Sequence, residues 1–161
     1  MNLIYIGKLV NTHGLKGEVR IISDFKFKED VFKVNNNIYI NENKYTINSY
    51  RKHKMFDMIT LSEVNDIDSA LELKGYNVYI NKTEYNFNGY LDEELIGLEV
   101  YDNNTYKGKI IDILKTNTND LFVIDGNKRH MIPNINEFVN KVDLKNNKIY
   151  INYIKGLDNE D

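Results

Sequence analysis

The chain has 161 residues, with 21 Lys and Arg against 24 Asp and Glu, a formal net charge of −3, 42 % hydrophobic residues and neither Cys nor Trp. Such a length buries one core or two small ones, and the missing Cys excludes a disulfide scaffold, thiolate metal sites and a Cys nucleophile. No apolar run approaches the roughly 18 residues needed to span a bilayer, and the first residues lack the basic-then-apolar pattern of a secretion signal, so the expectation is a cytoplasmic protein with no membrane partner.

In chain order, Leu3-Ile4-Tyr5-Ile6 opens a strand that runs towards Val10, and Gly17-Glu18-Val19-Arg20-Ile21-Ile22 alternates as a second. Between them His13-Gly14-Leu15-Lys16-Gly17 reads as a turn with Gly where positive φ is needed. Asn37–Ile40 and Lys44–Ile47 predict a hairpin across Asn41-Glu42-Asn43, and Met58–Leu61 continues the sheet. Asp66 as N-cap, acids in the first turn and Gly75 past the end predict a short helix that packs Ile67, Ala70 and Leu71 on the sheet. Asn77–Ile80 returns as a strand. Residues 84–94 are polar, aromatic and non-periodic, and read as a linker between domains 1–83 and 95–157, with an acidic tail expected to be unordered. After the linker, strands are predicted at 95–101, 108–114, 121–124, 130–133 and 148–153. Short strands with frequent turns predict an all-β protein with one or two short helices, built as two small β-barrels in tandem.

No catalytic constellation emerges. His13, His53 and His130 have no metal-ligand spacing, no Gly-x-Ser-x-Gly elbow or phosphate-cradling Gly-rich loop is present, and the acid pairs lie in polar loops. The expectation is a non-enzyme without cofactor or metal. Two stretches invite partners. Tyr50-Arg51-Lys52-His53-Lys54-Met55-Phe56 sets cationic residues between aromatics, the pattern of phosphate contact with flanking stacking, against which stands a solvated hairpin tip. Tyr85-Asn86-Phe87-Asn88-Gly89-Tyr90-Leu91 offers either a docking surface or packing between the barrels. Charge is uneven: residues 1–54 carry +5 and residues 55–161 carry −8, so the positive end can sit against phosphates while the rest of the surface meets protein, against which stands the plainer reading that both ends are solvated. The 25 Asn, with much Ile, Lys and Tyr, are read as A/T-rich codon usage and not as function.

Taken in order, Ile6-Gly7-Lys8-Leu9-Val10-Asn11-Thr12-His13-Gly14-Leu15-Lys16-Gly17-Glu18-Val19-Arg20, Arg51-Lys52-His53-Lys54, Asp68–Gly75, Glu94–Val100, Gly108-Lys109-Ile110, Thr118–Val123 and Met131-Ile132-Pro133 resemble the bacterial ribosome maturation factor RimM family over nearly the whole chain. The resemblance implies a six-stranded N-terminal barrel, a C-terminal PRC-type barrel and a non-enzymatic, monomeric assembly factor. Its implied partners are the 30S subunit, 16S rRNA of the head and the small-subunit ribosomal protein numbered nineteen. Arg20, Arg51, Lys52 and Lys54 are the expected rRNA contacts. Tyr90, Leu91, Leu95, Ile132 and Pro133 are the expected ribosomal-protein contacts, and His13, Gly14, Gly17 and Gly97 the structural motif residues. Where the family carries Glu-Tyr-Tyr, this chain has Gly89-Tyr90-Leu91, so Tyr90 inherits a contact role and Leu91 keeps apolar area without the hydroxyl. The competing expectation is a β-barrel that binds rRNA directly with no ribosomal-protein partner.

Overall fold

Alternation of buried and exposed side chains sets the first sheet. In β1 (Leu3–His13), Ile4, Ile6 and Leu9 point inward while Leu3, Tyr5 and Lys8 point out, the period-2 pattern of a strand with one face in a core. The computed structural model describes residues 1–152. The chain divides into two units, Met1–Asn88 and Gly89–Asp161. The expectation for the acidic tail lies outside the described residues.

In the first unit β1, β2 (Glu18–Ile22), β3 (Asn37–Ile40), β4 (Asn43–His53), β5 (Phe56–Leu61) and β6 (Asn77–Asn81) close a barrel in the order β1-β2-β5-β4-β3-β6. Its interior holds Ile4, Ile6, Leu9, Val19, Ile21, Ile38, Ile40, Ile47, Ile59, Leu61, Val78 and Ile80, each such side chain contributing about 1.5–3 kcal/mol when fully buried. β1 carries bulges between Tyr5 and Gly7 and between Leu9 and Asn11, which let an eleven-residue strand bend and pair with β6 at one end and β2 at the other. Gly17 ends the β1–β2 turn at φ +85°, and a Cβ there would stand 3.1 Å from the carbonyl oxygens of Val64 and Asp66.

Two helices decorate this barrel. α1 (Lys28–Val31) has no counterpart among the predicted elements: at four residues it is too short to show a helical period. α2 (Ile67–Leu71) forms where the cap signals place it, Asp66 accepting from the backbone N–H of Ser69 at 2.8 Å, and that hydrogen bond holds the Asp66 carboxyl below its ordinary pKa. Its packing differs from expectation. Ala70 and Leu73 are buried and Leu71 is exposed, because a helix this short presents only one turn to the sheet.

The second unit begins with α3 (Asp92–Leu95), in a stretch that reads in sequence as linker and strand. Glu94 turns back to accept from the Leu91 N–H at 2.9 Å, which caps the first turn. β7 (Glu99–Asp102), β8 (Thr105–Lys115), β9 (Asp120–Asp125), β10 (Arg129–Pro133), β11 (Val139–Asp143) and β12 (Lys148–Ile151) form a six-stranded sheet in the order β10-β9-β8-β7-β12-β11. β11 is absent from the predicted strands, and β12 pairs parallel with β7. The core is Leu95, Leu98, Val100, Ile110, Ile113, Phe122, Ile124, Ile132, Ile149 and Ile151. The described residues thus hold three short α-helices where one or two were expected. No helix among them is long and apolar enough to cross a membrane.

Candidate functional site

Strand register brings Arg20 and Arg51 together on the outside of β2, β5 and β4. Arg20 of β2 lies opposite Met58 of β5, which lies opposite Arg51 of β4, and directly opposed residues share a face. His13 is paired with Glu18 and His53 with Phe56, which places both rings on the same face. Their centroids are 6.2 Å apart although forty positions separate them in the chain. The Arg20 guanidinium lies over the Phe56 ring at 5.4 Å and donates to His13 Nδ1 at 2.9 Å.

Glu18 is the counter-charge of this face. Arg51 donates Nε and Nη2 to its two carboxylate oxygens, both at 2.8 Å, a bidentate geometry that fixes the guanidinium plane. That bond to Arg51 lowers the Glu18 pKa, with His13 and His53 adding smaller effects. His53 is held below its ordinary pKa by desolvation and by the nearby charges of Arg51, Lys54, Arg20 and His13.

The four expected rRNA contacts do not form one cluster. Arg20 and Arg51 share the outer face, but Lys52 is one residue out of phase and turns to the other side of the sheet. There it stands 3.7 Å from Asp57, a fully buried carboxylate that also accepts from Lys28 at 3.0 Å and from the Tyr50 hydroxyl at 2.6 Å. Burial and the Asp57 carboxylate together push the Tyr50 phenol up to about 12. For Lys28, burial is the largest influence and acts to lower the pKa, but the hydrogen bond to Asp57 together with the charges of Asp57 and Asp24 makes the net shift upward. Lys54 sits exposed in the two-residue β4–β5 turn at φ +57°. The turn glycines of the motif, Gly14 and Gly17, take φ +74° and +85°, and Gly97 takes +98°.

Of the expected protein contacts in the second unit, Leu91, Leu95 and Ile132 are corrected. They are 3 %, 2 % and 4 % exposed, Leu95 and Ile132 facing the sheet core, and present no surface. The resemblance carries over their positions and not their burial, and α3 and β10 each turn one apolar side inward. Tyr90 is exposed and Pro133 half-buried. Pro133 belongs to a row that sequence reading misses: Leu114, Leu121 and Pro133 are opposed across β8, β9 and β10, with Val123 and Met131 as the next opposed pair of that face. Leu114 and Met131 are 38 % and 45 % exposed. Lys115 bridges Asp92 at 2.7 Å and Asp120 at 3.0 Å, tying the start of α3 beside Tyr90 to the β8–β9 end of this row.

The docking side chains expected over 85–91 also divide. Tyr85 and Phe87 pack back on the first unit, Phe87 stacked on Phe27 at 4.7 Å and on Tyr85 at 5.3 Å, with Phe25 edge-on at 5.7 Å. Among the described residues no group of three His, Asp or Glu side chains is placed to hold a metal ion.

Comparison with known proteins places both units. The profile of the RimM N-terminal domain matches residues 4–85 and that of the RimM PRC barrel domain residues 92–157. The chain belongs to the RimM family. The ribosome maturation factor RimM of Ligilactobacillus salivarius is 38 % identical over 168 residues, covering 98 % of this chain and all of that one. The RimM of Staphylococcus aureus strain N315 is 35 % identical over 166 residues, covering 96 % and 98 %. Among solved structures, the Pseudomonas aeruginosa RimM crystal structure aligns at 22 % identity and a TM-score of 0.48, covering 95 % of this chain and 98 % of that one.

Proposed function

We propose that this protein is a non-enzymatic maturation factor for the small ribosomal subunit, which binds the partly assembled 30S head and promotes processing of 16S rRNA. Its family and the names of its relatives support the general role. The observation that carries the assignment of the RNA surface is the outer β2–β5–β4 face, where His13, Arg20, Arg51 and His53 converge with Lys54 beside them. Phosphate oxygens accept what these groups donate: the bidentate fork that Arg51 extends to Glu18 fits two phosphate oxygens equally well. Lys52 joins only by releasing Asp57.

The second unit supplies the protein contact. Tyr90 and Pro133 keep the role expected of them, with Leu114 and Met131 as further apolar surface, while Leu91, Leu95 and Ile132 support that surface from beneath. Its partner in this reading is the small-subunit ribosomal protein numbered nineteen, whose basic surface suits the acidic C-terminal half. By favouring one arrangement of head RNA and protein over others, the factor raises that arrangement's population by its differential affinity.

The experiment is charge reversal of Arg51 and Lys54 with binding to 30S subunits measured across a salt series. The double variant binds more weakly, and its log affinity falls less steeply with log salt, by about 0.7 for each phosphate that is no longer neutralised. An unchanged affinity and slope refutes the face. The burial of three of the five expected protein contacts favours a second reading, direct binding to rRNA alone. Full competition by naked head RNA would establish it.

A further inference from the structure

The opposite half of the same barrel carries a second candidate surface. Tyr5 of β1 is opposed to Tyr79 of β6, and Tyr79 to Tyr39 of β3, so three tyrosines form one row across β1, β6 and β3, with Tyr5 exposed, Tyr79 half-buried and Tyr39 buried. Tyr5 and Tyr79 meet edge to face at 6.0 Å. Tyr39 is pinned by donating to Glu84 at 3.0 Å. Beside the row, Leu3, Tyr39, Asn41, Glu42, Tyr76, Asn77 and Tyr79 line a cavity of about 240 Å³. Tyr5 and Tyr76 remain 51 % and 41 % exposed, a large aromatic area left in water by a barrel whose core is already filled.

We propose that this cavity binds one base of a single-stranded RNA segment, stacked against Tyr76 and Tyr79 and read by Asn41, Asn77 and Glu42. The inference rests on the reading of this protein as an RNA-contacting factor, though not on the Arg20 and Arg51 face. Three features select a nucleotide over other occupants. Tyrosine faces stack on any base. The two Asn amides carry both donors and acceptors, and the Glu42 carboxylate accepts from an amino edge, so bases with an exocyclic amino group bind better than uracil. Exposed Lys8 lies opposite Asn77, and exposed Lys44 opposite Tyr39, where they meet the phosphates on either side of the base. A cationic peptide side chain would also find π-faces and a carboxylate here, but both flanking lysines repel it.

The test uses the full chain with hexaadenylate and hexauridylate as probes, read by amide chemical-shift mapping and by titration. Hexaadenylate is expected to shift the amides of Leu3, Asn41, Glu42 and Asn77 and to bind more tightly than hexauridylate. Tyr76→Ala weakens hexaadenylate by about 5- to 160-fold, the range for loss of one stacked base, while Tyr76→Phe, which keeps the ring, retains binding and reports that the fold is intact. Shifts confined to Arg20, Arg51 and Lys54 would overturn the pocket and leave the basic face standing. Pocket shifts that survive Arg51→Glu together with Lys54→Glu support the pocket independently of that face. Absence of any shift, or pocket shifts produced by an oligolysine peptide and not by hexaadenylate, would overturn it.

Discussion

Asp57→Asn removes the one negative charge buried at the end of the first barrel while keeping its shape. Asp57 is fully buried and serves Lys28 at 3.0 Å, Tyr50 at 2.6 Å and Lys52 at 3.7 Å. Removing one partner of a buried ion pair costs about 3–5 kcal/mol. Here the lysine side chains keep 27 % and 48 % of their exposure and turn to water once the carboxylate is neutral, so a lower figure applies, about 2–3 kcal/mol, close to the loss of one or two charge-assisted hydrogen bonds. For a unit the size of Met1–Asn88 that loss lowers Tm by about 10–20 °C. Calorimetry and urea titration measure it, and Tyr50→Phe, which removes one hydrogen bond to the carboxylate and no charge, costs about 1.5 kcal/mol by the same assays. The variant also frees Lys28 and Lys52, so its binding to 16S rRNA becomes more salt-dependent. An Asp57→Asn protein that melts within about 2 °C of the parent, a margin well under the loss expected for 1 kcal/mol, would show that Asp57 does not hold this end of the barrel.

Three further outcomes follow from the same geometry. Glu18→Gln removes the counter-charge of Arg51, so 16S rRNA binding tightens and its salt slope steepens by about 0.7; an unchanged slope means Arg51 does not reach phosphate. Gly17→Ala costs about 1–3 kcal/mol for its positive φ, plus the crowding of its new Cβ against the Val64 and Asp66 carbonyls, whereas Gly14→Ala, with open space around its Cβ position, costs less in urea titration; equal losses would contradict this. Tyr50 and Tyr85 both have phenols raised to about 12, chiefly by burial and then by Asp57 and Glu84 respectively. A raised folded pKa favours the protonated native state, so their stabilisation is complete below the unfolded value of about 10 and is lost between about pH 10 and 12. Tyrosinate absorbance that saturates by about pH 11 in the folded protein would contradict it.

How much of the molecule is legible in its sequence depends on the range of the interaction concerned. α2 is readable because Asp66 and Gly75 mark its ends with local chemistry. α3 is not, because its decisive feature, Glu94 turning back to Leu91, looks in sequence like one more acid in a polar stretch. The barrel strands are legible from alternation, and the same alternation separates Lys52 from Arg51, although a run of basic residues reads as one patch. The pairing of Arg51 with Glu18 and of His13 with His53 depends on strand order, which no local pattern encodes. Leu91, Leu95 and Ile132 are misplaced for a related reason: a resemblance in sequence identifies positions, but burial decides which of them meet a partner.

In the proposed role this chain recognises the small subunit during assembly through RNA and protein together. Co-sedimentation of the purified protein with 30S subunits, 70S ribosomes and naked 16S rRNA, at low and moderate salt, tests it most directly. Preferential binding to free 30S, weak on 70S and on naked RNA, is the predicted result. Equal binding to naked 16S rRNA, or binding to none of the three, would contradict it.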